Sequence, residues 1–69
     1  MITVQDLCVE SSIDILTCMK FLDKNGQGII FVLDKGKLIG SLSDGDLRRA
    51  IISGAKTDEK VLKYCNKDV

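Results

Sequence analysis

Within Gly40-Ser41-Leu42-Ser43-Asp44-Gly45-Asp46, a hydroxyl and a carboxylate stand where a short apolar stretch gives way to a helical pattern. A strand that passes directly into a helix presents unpaired N–H groups and the positive end of the helix dipole, which together favour an anion. Ser43 sets a hydroxyl beside those donors, where it can meet a phosphate oxygen. Asp46, in the first helical turn, offers a carboxylate that can accept hydrogen bonds from vicinal hydroxyls such as those of a ribose. Gly40 leaves room for close approach to the backbone. These residues have the parts to hold a phosphorylated ribose. The same three-residue spacing also describes a helix cap followed by a dipole-favoured acid, so spacing alone leaves ligand and cap both open.

The other polar residues narrow the chemistry. Arg48 and Arg49 follow Asp46 directly; a guanidinium suits a phosphate, although the pair equally forms a solvated helix face. Asp44 and Asp46 stand two apart, so on a helix their side chains diverge rather than converge as an acid–base pair. The chain has no histidine, and its cysteines at 8, 18 and 65 lack the close spacing of metal ligands. With no nucleophile–base pair either, catalysis is not expected and no metal is. Three cysteines, an odd number without a secretion signal, suit a reducing cytoplasm and read as small buried hydrophobes. Asn25-Gly26-Gln27-Gly28 lacks dinucleotide-fingerprint spacing. Ten Lys and Arg balance ten Asp and Glu, which disfavours a nucleic-acid partner. No apolar run reaches the roughly 20 residues a membrane span needs. At 69 residues there is one domain, whose core is marginal unless a second surface covers part of it.

The elements that would position these groups follow from periodicity. Met1 to Glu10 reads as an extended or one-turn lead-in. Ser11 and Ser12 are candidate caps for a helix over Ile13 to Lys24, whose Ile15, Cys18, Met19 and Leu22 share a face. Asn25-Gly26 stops it. Met19, Phe21 and Leu22 read as core or dimer surface rather than a cofactor pocket. Gly28 to Leu33 is a continuous β-branched and aromatic run, expected to be a strand covered on both faces. Asp34 to Lys37 supplies turn chemistry, and Leu38 to Leu42 returns as the hairpin partner. Ser43 or Asp44 caps a second helix with Leu47, Ala50 and Ile51 on one face, and Gly54 ends it. Thr57-Asp58-Glu59 is expected to open a short third helix with Val61, Leu62 and Cys65 inward. The fold class is α/β (α+β): a small sheet containing a hairpin, with helices packed on one side.

The stretch from Gly28 through Asp34-Lys35-Gly36-Lys37-Leu38-Ile39-Gly40 to Ser43-Asp44-Gly45-Asp46 and the following helix resembles the core of a CBS domain, the family named after cystathionine β-synthase. The likeness runs from about Leu7 to Asn66. It implies a CBS-type fold and a regulatory, non-catalytic role. In the family, two repeats pair into a Bateman module that binds AMP, ADP, ATP or a related nucleotide in the cleft between them. By that resemblance Ser43 meets phosphate or ribose and Asp46 holds the ribose hydroxyls. The backbone of Gly28, Ile29 and Ile30 faces the base, and Ser12 lies near the ligand. Phe31 stands where many members carry proline. The wording Ser43-Asp44-Gly45-Asp46-Leu47-Arg48-Arg49-Ala50-Ile51 is similar to a narrower group in which a CBS pair precedes a sugar-phosphate nucleotidyltransferase domain. Residues 1–69 then form a single repeat, expected to be a piece of a longer chain attached to a catalytic domain or a half completed by a homodimer partner. The alternative function is a structural dimerisation module with no ligand.

Overall fold

A computed structural model describes residues 4–67. The lead-in divides in two: a 3-10 turn over Val4–Leu7 and a short strand, β1 (Cys8–Glu10). Helix α1 (Ile15–Asn25), strands β2 (Ile29–Asp34) and β3 (Lys37–Ser43), helix α2 (Asp44–Ile52) and a 3-10 turn at Val61–Lys63 follow. The sheet runs β1-β2-β3. β1 is parallel to β2, as the intervening helix allows, and β2 is antiparallel to β3. The expected hairpin is present. Its turn sets Lys35 at φ 52° and Gly36 at φ 81°, the two consecutive positive values of a type I′ connection.

The pleat sorts side chains to two faces. Ile30, Val32 and Leu42 are fully buried on one face with Val9; Ile15, Cys18 and Leu22 of α1 and Leu47 of α2 complete this core. The opposite face is not covered as the apolar run suggested. Ile29 remains 38% exposed and Leu38 53%, while Phe31 and Leu33 are half-buried. Both helices belong to the first face, and among the described residues no helix lies over the second.

Two expectations about helix ends are corrected. Asp14, not Ser11 or Ser12, caps α1, its Oδ1 accepting from the Thr17 amide at 2.8 Å. Ser11 instead extends the β1–β2 pairing, donating its amide to the Leu33 carbonyl. Nor is there a third α-helix from Thr57. The carbonyls of Thr57 and Glu59 accept from the Leu16 and Ile15 amides, at 3.0 and 2.9 Å. Carbonyls turned toward another helix's unpaired donors point away from the axis a helical turn of their own would need. Only Val61–Lys63 coils, with Val61 and Cys65 buried but Leu62 42% exposed. Glu59 locks this segment: it accepts from the Lys56 amide, the Lys63 ammonium and the Tyr64 hydroxyl, bonds that hold its carboxyl down to about 2.

The chain returns to the sheet at its end. Asn66 and Ser41 exchange two backbone hydrogen bonds, of 2.8 and 2.9 Å, along the edge of β3. Gly40 makes this possible, since a Cβ there would lie 2.7 Å from the Asn66 carbonyl oxygen and 3.0 Å from Cys65 Sγ. The close approach for which Gly40 leaves room is therefore taken by the chain itself. Gly40→Ala is expected to lose about 1–3 kcal/mol, because the clash is with backbone. Thermal unfolding should register it at roughly 4–8 °C per kcal/mol. An unchanged melting temperature would mean the Cys65–Asn66 segment does not bear on β3.

Candidate functional site

No loop separates β3 from α2. Ser43 is at once the last residue of the strand, opposite Ile29, and the cap of the helix, with φ −104° and ψ 167°. Its Oγ accepts from the Asp46 amide at 3.1 Å, and the Asp46 Oδ2 accepts in return from the Ser43 amide at 3.0 Å. That reciprocal capping box is the arrangement the spacing left open beside a ligand site. The sequence also suggested unpaired amides here. The Asp44 amide donates to the Gly28 carbonyl at 3.1 Å, so the start of β2 is tied to the start of α2. Of the first three helical amides, only that of Gly45 has no partner among the described residues.

Asp46 carries a third partner. Arg49 Nη2 donates to Oδ1 at 2.7 Å, with the guanidinium 71% exposed and the carboxylate 32%. The Ser43 amide above all, then the Ser43 hydroxyl and Arg49, hold the Asp46 carboxyl below its ordinary 3.8. It is ionised throughout the neutral range, an acceptor for hydroxyl groups rather than a proton donor.

Ser43, Asp46, Gly28, Ile29 and Arg49 thus gather at one end of the sheet. Ile30, the next residue along, is fully buried in the core and can turn only its backbone outward. Ser12 does not join them. It lies exposed in the turn after β1, whose last residue, Glu10, pairs with Leu33 at the opposite end of β2. Ile29 and Leu33 are four residues apart, roughly 13 Å along a strand. What the parallel register brings to the Ser43 end is the turn before β1, anchored by the Asn25 side-chain amide on the Asp6 carbonyl. The lead-in allowed for a turn, but not its position beside Ser43, which depends on a pairing 23 residues away in sequence.

The two arginines part company. Arg48 lines a groove of about 400 Å³ between α1 and α2, with Met19, Leu47 and Ile51. It lies across the helix from Asp46, as its position two residues on requires. Asp44 lines the same groove, so the two aspartates diverge as expected. Cys18 and Cys65 are buried and Cys8 half-buried, all three as free thiols. Burial, and secondarily Asp44, pushes the Cys18 thiol up to about 12. Among the described residues no group of three or more His, Cys, Asp or Glu could hold a metal ion. No helix there is long and apolar enough to cross a membrane.

Because Asp46 titrates lower in the fold than in the unfolded chain, its contribution to stability is full above about 3.8. It fades as pH falls through the lower folded value. Melting temperatures of the native chain and of Asp46→Asn should therefore differ most near pH 5–7 and converge toward pH 2. A constant gap across that range would mean the carboxylate bonds contribute nothing.

Among curated proteins none matches the chain. Solved structures do. An uncharacterized conserved protein from Pyrococcus horikoshii superposes with a TM-score of 0.84 at 22% identity, over 97% of this chain and 52% of its own. A CBS-domain containing protein from Agrobacterium tumefaciens gives 0.84 at 23% identity, over 91% of this chain and 49% of its own. A cystathionine beta-synthase domain protein fused to a Zn-ribbon-like domain gives 0.79 at 21% identity, over 88% and 90%. The chain spans about half the length of the first two. At these identities the likeness establishes the fold. The family model for the CBS domain matches residues 1–53, and the chain belongs to the CBS domain family.

Proposed function

We propose that this chain is one half of a regulatory module that binds an adenine nucleotide, or a related phosphorylated ligand, in a cleft closed by a second CBS unit. The observation that carries the reading is the β3–α2 junction. There a hydroxyl, an ionised carboxylate and the Gly45 amide gather beside Ile29 at the open end of the sheet. CBS domains are generally regulatory modules for adenosine ligands and typically pair with a second repeat. The uncovered sheet face, with Ile29, Phe31, Leu33 and Leu38, is the surface a second unit would bury, either a repeat in the same chain or a homodimer partner. On this reading ligand binding biases the conformation of an attached catalytic domain, by no more than its differential affinity for the two states. The Ser43–Ile51 wording favours a sugar-phosphate nucleotidyltransferase as that domain. Free cysteines are in keeping with a reducing cytoplasm.

One observation favours a second reading. Ser43 and Asp46 satisfy each other within the chain, and a complete capping box needs no ligand. A dimerisation module with an empty cleft would have the same junction.

Melting the chain with AMP, ADP, ATP and CMP at millimolar concentration separates the two. A ligand at 100 times its dissociation constant adds about 2.7 kcal/mol, a shift well above 5 °C in a domain this small. At least one nucleotide should produce it, and Asp46→Ala should abolish it while light scattering still reports the paired form. Paired protein with no shift from any nucleotide would leave the dimerisation reading standing and end the first.

A further inference from the structure

The ion pair on Asp46 gives the junction a selectivity that the hydroxyl and carboxylate alone would lack. Both carboxylate oxygens are engaged, Oδ2 by the Ser43 amide and Oδ1 by Arg49. A diol that docks on Asp46 must displace or crowd one of them. The Ser43 amide is fixed, since it belongs to a strand residue that also caps the helix. The Arg49 side chain is 71% exposed and rotates freely at little cost. Arg49 is therefore the partner that yields.

Where it goes is set by Gly45. The space a side chain would fill at that position lies 3.3 Å from Arg49 Nη1 and 3.7 Å from both Nη2 and Ser43 Oγ. The guanidinium thus folds back over the first turn of α2, across the Cα of Gly45, on the side where the Ser43 hydroxyl also lies. Displaced from Asp46, it remains tethered within reach of any anion held at that turn. A phosphate there offers it a bidentate, charge-assisted partner. A nucleotide exchanges one ion pair for another; a neutral nucleoside breaks the pair and returns nothing.

We infer that Arg49 is a specificity-determining latch on Asp46, closed against neutral diols and opened by ligands that bring their own phosphate. The inference rests on the ligand reading above. It assigns the selection of phosphorylated over unphosphorylated nucleosides to one side chain, and separates Arg49 from Arg48, which faces the α1–α2 groove.

Calorimetric titration of the chain in its paired form with AMP and adenosine, and with CMP and cytidine, tests it. The native chain should prefer the nucleotide to its nucleoside by tenfold or more for whichever base binds. Arg49→Ala should cut that preference to within about threefold, weakening the nucleotide and tightening the nucleoside as Asp46 is released. Arg49→Gln, which keeps the stem and hydrogen bonding without the charge, should do the same and guards against misfolding of the first variant. Arg48→Ala should keep the native preference. A nucleotide that binds with a preference untouched by either Arg49 variant overturns the latch and leaves the ligand reading intact. Paired native chain that binds none of the four compounds removes both.

Discussion

The fold turns on a residue that belongs to two elements at once. Ser43 closes the β2–β3 ladder opposite Ile29 and, through its side chain, begins α2. With no loop between them, the orientation of the helix is dictated by the last pleat of the strand. The Asp44 amide adds a second tie, to the Gly28 carbonyl at the start of β2. Helix, strand end and strand start are therefore fixed relative to one another by backbone and one hydroxyl. The polar groups at the junction inherit that rigidity. Loss of the Ser43 cap would cost about 1 kcal/mol in helix stability alone, and it would also free the end of β3 that positions everything else.

Charge at the junction is local and nearly self-balanced. The acid in the first turn of α2 is favoured by the helix dipole, whereas an arginine folded back over that turn is not; the Asp46 carboxylate is what makes the guanidinium tolerable there. The chain as a whole carries no net charge, so long-range steering of an anionic ligand has little to draw on. Recognition at such a place depends on groups within hydrogen-bonding distance.

Much of this was legible in the sequence because it is local. The hairpin turn at Gly36, the α1 stripe of Ile15, Cys18 and Leu22, the stop at Gly26 and the cap at Ser43 are each written in a few neighbouring residues. What escaped is what the chain does to itself over distance. Ser11 and Ser12 have the chemistry of caps, but Ser11 continues the β1–β2 pairing and Asp14 caps a helix that begins only at Ile15. Thr57-Asp58-Glu59 has the look of a helix start, yet its carbonyls are committed elsewhere. The resemblance set Ser12 near the ligand, yet it lies at the far end of the sheet, since a parallel register puts the start of β1, not its end, beside the start of β2. The Arg49 pairing was half-readable: three residues from Asp46 is the right distance, but the vacancy over Gly45 that receives the guanidinium is visible only in the fold.

The last turn of chain has a consequence for solubility. β3 is an outer strand, and strands at the margin of a sheet present unpaired amides that invite another molecule to add on. Asn66 fills that margin at Ser41, beside a glycine that no side chain screens. A chain cut back ahead of Asn66 would keep both helices and the hairpin but leave a bare template along β3. Self-association through strand addition, rather than unfolding, is the first failure such a truncation invites.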